Sequence, residues 1–118
     1  MKVYFSVALF IAFSASPTAY AASKAETLFI DGNCNNCHTI DNQTIGPTFI
    51  EVAEKYRADP EAQSKLEKKV RIGGSGSWGV VPMPGTRSTI TDEDITVLVK
   101  WILQQKAKPK AAKKAQSN

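Results

Sequence analysis

An all-α domain is what the sequence predicts, and three observations lead there. No stretch alternates apolar and polar residues for long enough to make a useful strand. The segments beginning at Phe49, Pro60 and Asp92 space their apolar residues three and four apart, as one face of a helix requires. Helix start signals, a Thr or Asp just ahead, precede each of these segments. At 118 residues there is room for one such domain, and no internal repeat divides it.

Taken in order, Ser23-Lys24-Ala25-Glu26 reads as a capping box, with Ser23 as N-cap and Glu26 reaching back to its amide. A short helix through Leu28, Phe29 and Ile30 should stop at Gly32. Thr48 caps a second helix from Phe49 to about Arg57, with Phe49, Val52, Ala53 and Tyr56 on one side. Asp59-Pro60 reads as an N-cap followed by proline at the first helical position. That third helix turns Leu66 and Val70 inward and Lys65, Lys68 and Lys69 largely outward. Thr91 caps the last helix, whose Asp92, Glu93 and Asp94 sit where the helix dipole favours negative charge. Its Ile95, Leu98, Val99 and Ile102 make a continuous apolar stripe, widened by Trp101 as packing. Between the third and last helices, Gly73-Gly74-Ser75-Gly76-Ser77 lacks the G-K-[ST] ending of a phosphate-binding loop. The segment Trp78 to Gly85 that follows is rich in Gly and Pro yet apolar, as suits a loop laid against a buried flat surface.

Between the first two helices stands Cys34-Asn35-Asn36-Cys37-His38, the sequence form of covalent c-type haem attachment. Two thiols at this spacing can each add to one vinyl group of the same porphyrin, and the adjacent histidine can then ligate the iron. The run consumes both cysteines and the only histidine. A thioredoxin-like pair has no need of His38 and usually sits beside a βαβ pattern, which is missing; a zinc site would lack ligands. One haem c, bonded through Cys34 and Cys37, is therefore the expected cofactor. It would also complete the core of a chain too short to bury much surface by itself.

If His38 takes one side of the iron, the other ligand follows by subtraction. No second histidine exists, and Met1 belongs to the leader, so Met83 remains. The prolines of Pro82-Met83-Pro84 stiffen its loop. The alternatives are Met83 as a core gap-filler, an empty or water-bound position, or a lysine ligand. A thioether favours ferrous iron and raises the potential, and ligation on both sides leaves no open position for a substrate.

The N-terminus carries an address. Lys2, an apolar run from Val3 to Phe13 and Ala19-Tyr20-Ala21 have the layout of a secretory signal peptide over residues 1–21. The run is shorter than the roughly 20 residues that span a bilayer, so an uncleaved anchor is the lesser reading and no stable membrane insertion is expected. The expected location is the periplasm. The domain then covers 22–105, and residues 106–118 form a disordered Lys/Ala-rich tail. Five lysines of that tail dominate the basic pI of about 9.1. Between Ala22 and Gln104 there are nine Lys and Arg against eleven Asp and Glu, a mildly acidic body with no nucleic-acid recognition motif. The tail could make a weak electrostatic contact with an acidic partner or surface; the bland alternative is a solubilising extension.

From Ser23 to Gln105 the chain resembles the class I c-type cytochromes, of the small bacterial electron-carrier kind. The resemblance rests on an N-terminal helix feeding C-x-x-C-H, the Gly46-Pro47 turn, Trp78-Gly79, Pro82-Met83-Pro84 and a final helix with Lys100-Trp101. It implies four to five helices wrapped around one covalently held haem. It further implies that the Pro47 carbonyl accepts the ring N–H of His38 and that Trp78 hydrogen-bonds a haem propionate. Arg71 is implied as a second propionate partner, and Phe29 or Leu28 should cross against Leu98 and Trp101. The implied role is electron transfer rather than catalysis, with an apolar docking rim near Asn35, Val80, Val81 and Thr86. Partners would be a donor dehydrogenase or membrane complex and an acceptor reductase or oxidase. Two other readings share the motif: a dedicated electron-accepting subunit of one periplasmic oxidoreductase, and a ligand-binding haem protein with a labile sixth position. The chain departs from the family in its lysine-rich tail and in Gly85-Thr86-Arg87, where relatives often carry a proline and an asparagine.

Overall fold

Four α-helices and one short 3-10 turn make up the computed structural model, which describes residues 17–108. They are α1 (Pro17–Asp31), the turn Cys34–Asn36, α2 (Phe49–Tyr56), α3 (Ala62–Ile72) and α4 (Asp92–Leu103). No sheet forms among the described residues; a single antiparallel backbone pair joins Gly74 to Met83. The all-α expectation holds. Residues 1–16 and 109–118, most of the leader and of the tail, lie outside the described residues.

The apolar stripe of α4 organises the packing, because α1, α2 and α3 all lean on it. Ile95 and Val99 are almost completely shielded, and Leu98, Trp101 and Ile102 are buried beside them. From α1 come Ala25 and Leu28, from α2 Phe49 and Val52, and from α3 Leu66 and Val70. Aromatic edges lock the α1–α2–α4 junction. Phe49 meets Phe29 at 5.2 Å and Trp101 at 5.7 Å, each ring edge-on to the other, a geometry the ring quadrupoles favour. Phe29 lies 6.2 Å from Trp101, so α1 and α4 cross where expected.

Local start signals explain two helices fully. Thr48 accepts from the Glu51 amide at 3.1 Å while Glu51 accepts from the Thr48 amide at 2.8 Å, a complete capping box. Thr91 and Asp94 repeat the device at α4. Two boundaries differ from the sequence-based expectation. Helix α1 begins at Pro17, so Ser23 lies inside it and its capping box does not form. Instead its carbonyl accepts from the Thr27 hydroxyl. With Thr18 to Ala22 attached, the helix has good formers upstream and no reason to start at Ser23. Helix α3 begins at Ala62 rather than Pro60. The Asp59 carboxylate accepts from the Glu61 amide at 2.9 Å and its carbonyl from Ala62, which spends the Asp-Pro pair on a turn before the helix.

One ion pair ties the ends of the fold together: Lys24 on α1 reaches Asp94 on α4 at 2.7 Å. That hydrogen bond, helped by the Thr91 amide, holds the Asp94 carboxyl below its ordinary 3.8. A depressed carboxyl binds fewer protons folded than unfolded, so its contribution is present above pH 3.8 and lost as pH falls through the lowered value. Both groups are solvent-facing, so the contribution is small. The Asp94→Asn variant should therefore show a flatter fall in melting temperature than the parent below pH 3.8, measured by circular dichroism. An identical acid profile would mean the pair adds nothing.

Candidate functional site

Helices α2, α3 and α4 surround a cleft of about 240 Å³, closed on its remaining sides by loops. Val52, Leu66, Val70, Leu98, Val99 and Ile102 supply its apolar wall, so the inner faces of three helices serve the core and the cleft together. Cys34, Cys37, His38 and Met83 line the same cleft.

The first three of these residues sit on one tight turn. Helix α1 ends with the Gly32 amide donating to the Leu28 carbonyl at 2.9 Å, and Asn33 turns left-handed at φ 57°. The chain then closes on itself, with the Cys37 and His38 amides both donating to the Cys34 carbonyl, at 3.1 and 2.9 Å. Gly32 is required for space, since a Cβ there would stand 3.1 Å from Cys34 Sγ and 2.9 Å from the Leu28 carbonyl. Both cysteines are free and half-buried. Burial pushes the Cys34 thiol up from its ordinary value, so it stays protonated at neutral pH.

Two contacts fix the imidazole of His38. Its Nδ1 lies 2.8 Å from the Pro47 carbonyl oxygen. A carbonyl only accepts, so Nδ1 carries the proton and the Nε2 lone pair is free to bind a metal. Phe49 stacks on the ring at 5.5 Å. Gly46 allows this approach, because a Cβ would come within 2.5 Å of His38 Cε1. The Cys37 carbonyl accepts from the Gly46 amide at 2.7 Å and from the Thr44 hydroxyl at 2.6 Å, which holds the Gly-Pro turn against the cysteine turn.

Met83 is positioned by its backbone. Its carbonyl accepts from the Gly74 amide at 2.8 Å and its amide donates to the Gly74 carbonyl at 3.0 Å. Gly73, at φ 77° and ψ −152°, lies in a region nearly closed to other residues. A Cβ there would overlap the Met83 carbonyl oxygen and stand 2.7 Å from the Gly85 amide. Replacing Gly73 with alanine should thus cost about 1–3 kcal/mol in a denaturant titration and loosen the Met83 arm. Parental stability in that variant would mean the arm yields freely.

Of the remaining sequence candidates, Trp78 lines the cleft with its ring partly exposed. Arg71 does not line it. Its guanidinium bonds the Asp92 carboxylate at 2.6 Å and the Ile90 carbonyl at 2.8 Å, which ties α3 to the start of α4. The cationic side chain on the cleft wall is instead Lys69, which the helical pattern alone turned outward. Helical geometry explains the exchange. At about 100° per residue, Lys69 shares the face of Leu66 and Val70, whereas Arg71 lies about 140° round from Leu66. Counting that angle from Leu66 would have found it.

The donor set fits a porphyrin. Two thiols and an imidazole on one turn, a thioether on the same cleft, apolar walls and one cation suit an apolar macrocycle with acidic side groups. No group of three or more His, Cys, Asp or Glu suited to a bare metal ion exists among the described residues. Fold and site together define a c-type haem protein. The chain belongs to the cytochrome c family, whose model, described as cytochrome c, matches residues 22–106. It is 41% identical over 93 residues to cytochrome c-551 of Allochromatium vinosum, covering 79% of this chain and 98% of that one. To cytochrome c-551 of Pseudomonas aeruginosa it is 35% identical, covering 72% of this chain and 80% of the relative. Among solved structures, wild-type Nitrosomonas europaea cytochrome c552 superposes with a TM-score of 0.64 at 34% identity, covering 69% of this chain and 99% of that one. The class I cytochrome MtoD of Sideroxydans lithotrophicus ES-1 superposes with a TM-score of 0.63 at 31% identity, covering 72% and 96%. The protein is thus a small class I c-type cytochrome, an electron carrier and not an enzyme.

Proposed function

We propose that this chain is a periplasmic mono-haem carrier that passes single electrons between redox proteins, its iron ligated by His38 Nε2 and Met83 Sδ. The observation that carries the reading is the 2.8 Å contact of His38 Nδ1 with the Pro47 carbonyl, on a cleft that Met83 also lines. It leaves one imidazole nitrogen free and fixes which one. Cys34 and Cys37 would hold the haem through thioethers, and Trp78 and Lys69 would face its acidic groups. When bound, the haem supplies a one-electron iron couple.

The chain's own residues prepare that couple. Pro47 keeps the proton on Nδ1, Phe49 and Gly46 set the ring's position, and the backbone pair with Gly74 holds Met83. Val52, Leu98 and Val99 exclude water from the interior of the cleft. Groups held this firmly change little between the two charge states, which favours fast electron transfer over substrate chemistry. No helix among the described residues is long and apolar enough to cross a membrane. The leader-like residues 1–21 support export, with cleavage after Ala21; Ser23 would then lie near the new N-terminus, free to act as a cap. Donors and acceptors would be periplasmic dehydrogenases or membrane complexes and reductases or oxidases, met through small transient contacts.

The test is the absorption spectrum of the reduced protein with and without carbon monoxide. Unchanged c-type bands are expected, because Met83 holds the sixth position. A prompt shift would give the ligand-binding reading first place, and absent haem bands would overturn the assignment altogether.

A further inference from the structure

We propose that Lys55 is a positioning residue, a latch from α2 onto the Trp78 loop that keeps Met83 at its post. The inference rests on the Met83 ligation proposed above. Residues 75–82 form a thinly attached arm. Its base is the Gly74–Met83 backbone pair, and its tip is closed by the Gly76 amide donating to the Gly79 carbonyl at 2.8 Å. Gly74, Gly76 and Gly79 all take positive φ, and Val80 is 91% exposed. Among the described residues, one hydrogen bond ties residues 75–82 to another element. In it Lys55 Nζ donates to the Ser77 carbonyl at 2.6 Å. The same ammonium stands over the Trp78 ring, 4.2 Å from its centroid.

Lys55 is well placed to act as the fixed end. It occupies the last turn of α2, where a cation complements the helix dipole. The preceding Val52 and Ala53 are buried, so the helix cannot follow the arm outward. The coupling runs from α2 through Ser77 and Trp78 to Gly74, and from Gly74 through two backbone hydrogen bonds to Met83. Withdrawing Met83 requires the arm to swing, and the latch opposes that swing. An exposed cation–π contact and a charge-assisted hydrogen bond together make opening about tenfold rarer.

The test uses cyanide, which can bind the oxidised holoprotein only after Met83 leaves. The rate at saturating cyanide then reports the opening of the arm. The Lys55→Met variant keeps the aliphatic stem and should react about tenfold faster than the parent. The Lys55→Arg variant retains a cation that both stacks and donates, and should return to within about twofold of the parental rate. Lys24→Met, which breaks an exposed ion pair remote from the arm, should leave the rate unchanged. A slow, saturating parental rate that Lys55→Met does not alter, or that Lys24→Met raises equally, would overturn the latch. A parent that binds cyanide within mixing time, without saturation, would instead overturn Met83 ligation itself and the latch with it.

Discussion

Replacing both Cys34 and Cys37 with alanine should abolish covalent haem and, with it, the cooperative fold. The reason lies in what the cleft wall is made of. Leu66, Val70, Leu98, Val99 and Ile102 belong to the buried core and also face the cleft. Without the porphyrin the cleft lining borders water at Ile45, Trp78, Val80 and Val81, which are exposed, and a domain this short has little other apolar surface to bury. At about 25 cal/mol per Å², each roughly 100 Å² of apolar lining that the porphyrin covers is worth about 2.5 kcal/mol, a sizeable share of the stability of a small domain. The expected results are loss of haem colour after denaturing extraction, weakened helical circular dichroism and no sigmoidal melting transition. Single alanine variants, each keeping one thioether, should stay folded and coloured. A colourless double variant that still melted cooperatively would show that helix packing alone suffices.

The second large effect is expected at Met83. In the Met83→Ala variant the reduced protein should bind carbon monoxide promptly, and the reduction potential should fall by roughly 0.1 V or more, within the span of about 0.8 V that axial ligands control. The fold should survive. Met83 is held through its amide and carbonyl, which alanine retains, and its side chain is only partly buried. Voltammetry and the carbon monoxide spectrum read the two consequences separately. A potential that stays at the parental value would mean the thioether never ligated the iron.

These two effects differ in kind because the cleft has two sorts of wall. The cysteine turn is built locally: Cys34, Cys37 and His38 are brought together by hydrogen bonds spanning three and four residues. The Met83 side is built at a distance, from Gly73 and Gly85, where missing side chains let two stretches of backbone touch. Local walls tolerate distant changes. The Met83 wall is sensitive to any change in how the arm meets α2 and α3.

Much of this molecule is legible in its sequence. The starts of α2 at Thr48 and of α4 at Thr91 are readable because a capping box is a contact among four consecutive residues. The inward stripe of α4 is readable because helical periodicity is a property of the chain itself. Fold class follows from the same two signals. The boundaries of α1 and α3 are not readable in this way, because several local solutions compete there. An upstream helix overrides the Ser23 cap, and Asp59-Pro60 makes a turn.

What the sequence determined by itself, then, is the helical fold class, the grouping of two cysteines and a histidine from Cys34 to His38 and the helix ends that carry their own caps. Tertiary structure decided what holds Arg71 away from the cleft, because that depends on where α4 offers Asp92 to a guanidinium. It also decided that Phe49 stacks on His38, that Gly74 pairs with Met83 and that Lys55 reaches Ser77. The physical reason is range: caps and periodicity act within one or two turns of chain, whereas these contacts form only once α4 has drawn the other helices around it.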